Sequence, residues 1–137
     1  MKYLFLLTLF LVTKISHAQL VASATDNKTD TTQKVRVKSK VLYGIASYYA
    51  DKFNGRQTAS GEIYDGNKWT AACNVLPLGT WIRVTNMTNN RSVIVKTNDR
   101  LHIRMKRIVD LSHIAAQKLG YIGRGLTRVK VEILEKD

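Results

Sequence analysis

The chain has 137 residues, 45% of them apolar and 23% charged, with a formal net charge of +12 at pH 7. This length and balance suit one globular domain with a single core. One cysteine, Cys73, excludes an intrachain disulfide and a Cys-rich zinc site, so the core alone must supply stability. The basic balance directs attention to polyanionic partners.

Residues 1–18 have the layout of a secretory signal: Lys2 gives a positive start, Leu4 through Val12 an apolar run, and Ser16-His17-Ala18 a small-x-small cleavage site. The mature chain is expected to begin at Gln19, without a membrane span, because Lys14 interrupts the apolar run well short of the ~20 residues that crossing requires. Residues 19–40 are rich in Thr, Ser, Asp, Asn and Lys without apolar periodicity and read as a flexible linker. The folded domain is expected over residues 41–137. An exported, periplasmic or extracellular protein of this charge is drawn to cell-wall polymers, whereas no nucleic-acid-binding pattern is present.

Period-two alternation predicts strands at residues 41–49, 80–87, 92–97 and 126–134, with Arg83, Lys96, Arg128, Lys130 and Glu132 alternating against Val and Ile. Thr88-Asn89-Asn90-Arg91 is a hairpin signal, since Asn tolerates the positive φ of tight turns. Residues 112–119 predict a helix with Ser112 as N-cap and Gly120 as its C-terminal stop. Many short strands and one helix point to a small closed β-barrel.

Two carboxylates stand out, Glu62 in Thr58-Ala59-Ser60-Gly61-Glu62 and Asp99 in Thr97-Asn98-Asp99-Arg100. Each lies in a polar loop flanked by strands, and glycosidic chemistry uses paired carboxyl groups of which one must hold a proton at neutral pH. Each of the two has a structural alternative, an Asx turn at Asn98-Asp99 and a solvated loop acid at Glu62, and a third acid, Asp110, just before Ser112, suits the free N–H groups of the following helix. Cys73 reads as a small buried hydrophobe as readily as a functional group. Tyr48, Tyr49, Tyr64 and Trp69 suit either a core or a sugar platform. Arg56, Arg100 and Arg104 read as a solvated basic rim. His102 and His113 lack zinc-ligand spacing, and neither a metal nor a cofactor is expected.

Six motifs stand in the order of the rare lipoprotein A family, which the chain resembles over residues 43–135: Gly44-Ile45-Ala46-Ser47-Tyr48-Tyr49, Gly55 through Glu62, Leu76-Pro77-Leu78-Gly79-Thr80, Val84-Thr85-Asn86, Asn98-Asp99-Arg100 and Ile108-Val109-Asp110-Leu111-Ser112. The resemblance implies a mainly β fold, a small six-stranded double-psi β-barrel with one or two short helices, related to expansins and to family 45 glycoside hydrolases. It implies an endolytic lytic transglycosylase that cleaves peptidoglycan glycan strands and leaves 1,6-anhydro ends, with cell-division or wall-synthesis proteins as candidate partners. Carried over by position, the catalytic candidates are Asp99, Glu62 and Asp110, and the substrate contacts Tyr48, Tyr49, Thr58, Ser60, Arg100 and Cys73. Two departures accompany it: Cys73 stands where the family has a histidine after Thr-Ala-Ala, and Leu101-His102 replaces Gly-Pro after Asn-Asp-Arg. The alternatives are an expansin-like glycan binder that does not cut and an exported protein-interaction module.

Overall fold

The structure is a computed structural model describing residues 36–135, with side chains from residue 40 onward. The expected signal and most of the expected linker lie outside the described residues. Six strands close into a barrel: β1 (Arg36–Tyr48), β2 (Thr70–Ala72), β3 (Trp81–Asn86), β4 (Ser92–Asp99), β5 (Val109–Leu111) and β6 (Thr127–Glu135), with one helix, α1 (His113–Leu119), between β5 and β6. Around the barrel the order is β1-β5-β2-β4-β3-β6, with β1·β5 and β2·β4 parallel and the other pairs antiparallel. This is the mainly β, six-stranded barrel that the motifs implied. Closure gives each strand a neighbour on both sides over part of its length, while β1 before Ala46 and β4 before Lys96 pair on one side only.

Alternation creates the core. In β3, Ile82 and Val84 point inward while Trp81, Arg83 and Thr85 are only half-buried, and in β6 Val129 and Val131 repeat the pattern. With Val95, Val109, Leu111 and the helix residues Ala115, Ala116 and Leu119 they form one packed interior. Each buried Val, Leu or Ile contributes about 1.5–3 kcal/mol relative to exposure. Gly44 is required by close packing, because a Cβ there would stand 2.5 Å from Ile108 Cγ2.

The four longer strands correspond to the four expected ones, with shifted ends. β1 starts at Arg36 rather than Val41, since Arg36 and Val37 pair with Glu135 and Leu134 of β6. β4 continues past Thr97 to Asp99. The sequence reading did not find β2 and β5. At three residues each they are too short for a periodic signal, and they exist because neighbouring strands supply their partners.

The 88–91 hairpin turn holds Asn90 at φ 59°, in the left-handed region. Buried Asn86 ties this turn to the helix: its Nδ2 donates to Leu119 O at 3.0 Å, and its Oδ1 accepts from Thr88 N–H and Thr127 Oγ1. Gly120 ends α1 in the left-handed conformation at φ 78°, its N–H bonding the carbonyls of Ala116 and Gln117, as expected of a helix stop. Ser112 occupies the N-cap position, but its side chain makes no capping hydrogen bond and its buried Oγ has no partner among the described residues. No helix among the described residues is long and apolar enough to cross a membrane.

Candidate active site

Asp99 ends β4, and a bulge aims it. Ala71 pairs with Thr97, but Ala72 pairs with Asp99, so Asn98 is an extra residue in the ladder. The alternation breaks there: Thr97 and Asn98 are both buried. Without the bulge, period two would turn Asp99 to the same face as Val93, Val95 and Thr97, into the core. Instead its carboxylate opens into a cleft of about 590 Å³ lined by residues that include Tyr48, Tyr49, Phe53, Tyr64, Arg107 and Asp110.

Three donors hold that carboxylate. Tyr49 Oη–H donates to Oδ2 at 2.5 Å, while the backbone N–H groups of Ala59 and Arg100 donate to Oδ1 at 2.9 and 2.8 Å. Burial, reinforced by the bond to Asp99, pushes the Tyr49 hydroxyl far above its ordinary value, so it stays protonated and acts as the donor. The Tyr49 ring stacks on Tyr64 with centroids 4.3 Å apart and meets Phe53 edge-on at 5.7 Å. Tyr49 is therefore a support for Asp99 as well as part of the aromatic wall.

Residues 58–62 fold into a self-closed turn. Thr58 N–H and Oγ1–H both donate to Glu62 O, Gly61 N–H donates to Thr58 O, and Gly61 takes φ 88°, where a side chain would be strained. Ser60 N–H donates to Asn98 O, and Ala59 N–H reaches Asp99. The two acidic motifs do meet, through backbone and side-chain bonds, but their two carboxylates do not share the cleft. Glu62 does not line the cleft. Its Oε2 accepts from Asn98 Nδ2 at 2.9 Å and its Oε1 lies 3.6 Å from Lys96 Nζ. The Asn98 bond, helped by Lys96, holds the Glu62 carboxyl below its ordinary value.

Asp110 lines the cleft, with both oxygens engaged by Arg107: Nε donates to Oδ1 at 2.9 Å and Nη2 to Oδ2 at 3.0 Å. Its side chain thus serves Arg107 rather than the free N–H groups of α1. That pairing raises the already high affinity of Arg107 for its proton. The sequence reading missed Arg107, although opposite charges three residues apart were a visible signal.

Of the other expected contacts, Tyr48, Tyr49, Thr58 and Arg100 line the cleft, and Ser60 and Cys73 do not. Tyr48 Oη–H donates to Ile122 O, and its ring packs edge-on against Tyr121 and His113. Thr58 is buried and committed to its own turn. The Arg100 guanidinium donates to the carbonyls of Cys73 and Leu76 rather than standing free in a solvated rim. The Cys73 side chain packs in the core while its N–H donates to Asp99 O, in keeping with a small buried hydrophobe. Trp69 is 42% exposed and outside the cleft. Lys52, Phe53, His102 and Met105 line the cleft without having been anticipated there, because loop residues carry no periodicity.

Comparison with known proteins agrees with this fold. Residues 41–131 match the family model described as lytic transglycolase. The chain is 50% identical over 97 residues to the endolytic peptidoglycan transglycosylase RlpA of Haemophilus influenzae, an alignment covering 71% of this chain and 34% of that protein. It is 52% identical over 94 residues to the protein of the same name from Pasteurella multocida, covering 69% and 32%. The chain thus spans about a third of the length of these relatives. Among solved structures, Streptomyces papain inhibitor aligns with TM-score 0.57 at 21% identity, over 74% of this chain and 99% of that one. The apo expansin of Clavibacter michiganensis aligns with TM-score 0.53 at 18% identity, over 72% and 52%. At such identities the structural likeness concerns the fold alone. With its closed six-stranded barrel, its ordered motifs and a family match over most of the described residues, the chain belongs to the lytic transglycolase family, as a double-psi β-barrel of the rare lipoprotein A type.

Proposed function

We propose that this barrel is an exported, wall-associated lytic transglycosylase domain that cuts the β-1,4 bond between N-acetylmuramic acid and N-acetylglucosamine within peptidoglycan strands. The observation that carries the reading is the Asp99 carboxylate, fixed by three donors in an aromatic-lined cleft of a lytic transglycolase barrel. A group held in place needs no reorganisation when charge develops beside it. The net charge of +12, or +10 once Lys2 and Lys14 leave with residues 1–18, suits an anionic wall.

In this reading Asp99 acts as the catalytic acid in its protonated form, in which Oδ2 carries the proton and the Tyr49 hydroxyl turns to accept it instead of donating. Its proton passes to the bridging oxygen as positive charge grows on the muramyl anomeric carbon. The substrate's own 6-hydroxyl attacks that carbon, and the Asp99 carboxylate takes the hydroxyl proton. The glycosidic C–O bond breaks, the C1–O6 bond forms, the proton count is restored and no water is consumed. Intramolecular attack removes the need for a second carboxylate to position water. That suits a cleft in which Asp110 is already engaged by Arg107. Glu62 acts as a positioning residue: by holding Asn98 it steadies the bulge from which Asp99 projects.

The second reading, glycan binding without cleavage, draws on the same Arg107–Asp110 pair, which leaves Asp99 as the cleft carboxylate without a cationic partner among the described residues. Incubation with purified glycan strands, followed by mass spectrometry and co-sedimentation, separates the two. Anhydro products from the wild type and none from Asp99→Asn support the enzyme. Co-sedimentation without products supports the binder, and neither result overturns both.

A further inference from the structure

Lys52 and Arg56 converge on one aromatic ring at the cleft. Lys52 Nζ lies 5.6 Å and Arg56 Cζ 5.3 Å from the Phe53 ring centroid, and all three residues line the cleft. The local chain makes this arrangement. A 3-10 turn at Asp51–Phe53, extended by the bond from Arg56 N–H to Phe53 O, brings positions 52, 53 and 56 together, and Gly55 at φ 85° lets the chain reverse.

Both cations are exposed, and among the described residues neither has a carboxylate within ion-pair distance. Two of the neighbouring acids are committed elsewhere, Asp99 to Tyr49 and two N–H groups and Asp110 to Arg107, and the exposed Asp51 has its Oδ1 3.6 Å from His113 Nδ1. Both cations present free donors at the cleft beside one ring, and an anion bound there satisfies them with charge-assisted hydrogen bonds. The ring attracts each cation and limits the wandering of its side chain, so the pair is partly preorganised. Phe53 also meets Tyr49 edge-on, and Tyr49 holds Asp99, so an anion bound beside Phe53 lies on the same cleft wall as Asp99.

We propose that Lys52, Phe53 and Arg56 form a carboxylate-binding subsite of the cleft, one that selects anionic glycan strands. The proposal rests on the glycan reading above. In peptidoglycan the carboxylate has two sources, the lactyl group of muramic acid freed of its peptide, and the stem peptide itself.

The test measures binding of the full chain carrying Asp99→Asn, to prevent cutting, against three strand preparations: stripped of peptides, bearing peptides, and stripped with the lactyl carboxylates converted to neutral amides. Adding Lys52→Gln with Arg56→Gln is expected to weaken Kd about tenfold for the strand carrying the recognised carboxylate, the scale of one charge-assisted hydrogen bond, and to leave the amidated strand unaffected. Which carboxylate-bearing strand loses affinity identifies the source. An equal loss from the distant pair Lys118→Gln with Arg124→Gln, or no loss on any strand, overturns the subsite. Those outcomes are distinct from failure of the glycan reading, in which the unaltered chain neither binds nor cuts any strand and both proposals fall.

Discussion

Tyr49 donates its hydroxyl proton to Asp99 Oδ2 at 2.5 Å across fifty positions of sequence, joining the residue just after β1 to the end of β4. The contact is sheltered by Tyr64 and Phe53 and is matched on the other carboxylate oxygen by the N–H groups of Ala59 and Arg100. It ties the aromatic wall of the cleft to its reactive group.

Asp99→Asn is expected to lower glycan cleavage by about 10²–10⁴-fold, the range of a lost general acid, while the fold stays intact. Asn has the same shape and keeps an acceptor for the neighbouring N–H groups. Anhydro-end quantification beside a thermal melt checks both parts. Asp110→Asn is the comparison: if its loss is dominant and Asp99→Asn is nearly silent, the acid is Asp110.

Asn86→Ala is expected to destabilise the domain by about 2–3 kcal/mol, because it removes one buried side chain that serves Leu119 O, Thr88 N–H and Thr127 Oγ1 together. Urea unfolding with an unchanged m-value would measure it. A change within 0.5 kcal/mol, the scale of a neutral surface substitution, would show that the turn and helix do not depend on this link.

Cys73→Ala is expected to cost about 1 kcal/mol and to leave turnover largely unchanged, since the side chain packs in the core rather than in the cleft. A thiol reagent should label Cys73 only after denaturant is added. Rapid labelling of the native chain would contradict its burial.

Glu62 is expected to titrate below an ordinary glutamate, because Asn98 and Lys96 stabilise its ionised form. Its contribution to stability is therefore present above the unfolded-state value and fades as pH falls through the depressed one. Carboxyl NMR titration reads this directly. Asn98→Ala should move the titration back up, whereas Lys96→Gln should move it less.

Tyr49 and Tyr121 give the opposite limb. Burial raises both above the ordinary tyrosine value of 10.0, with the Asp99 bond adding to the effect at Tyr49. Their contribution is fully present below that value and is lost as pH rises, because the unfolded chain ionises first. The thermal midpoint should fall above pH 10, and Tyr49→Phe with Tyr121→Phe should flatten that fall.

Alternation of Val and Ile with charged residues marked β3, β4, β6 and most of β1, because a strand that buries one face writes a period of two into its own composition. Gly120 and Asn90 were legible for a similar reason: only a few residue types accept a left-handed backbone, and both adopt it. The ordered motifs named the family. Asp99, Tyr49 and Asp110 could thus be selected as residues of interest before any contact was known.

Their relationships were decided by the tertiary structure. The three-residue strands β2 and β5 exist only through their neighbours, and the bulge at Asn98 depends on how β2 and β4 align. That bulge turns Asp99 out of the core, brings Ala59 N–H onto it across forty positions, and leaves Glu62 with Asn98 and Lys96 instead of in the cleft. Local sequence encodes which face of a segment is apolar. Which carboxylate meets which donor is set by strand order, register and one extra residue in a ladder, and these are properties of the closed barrel as a whole.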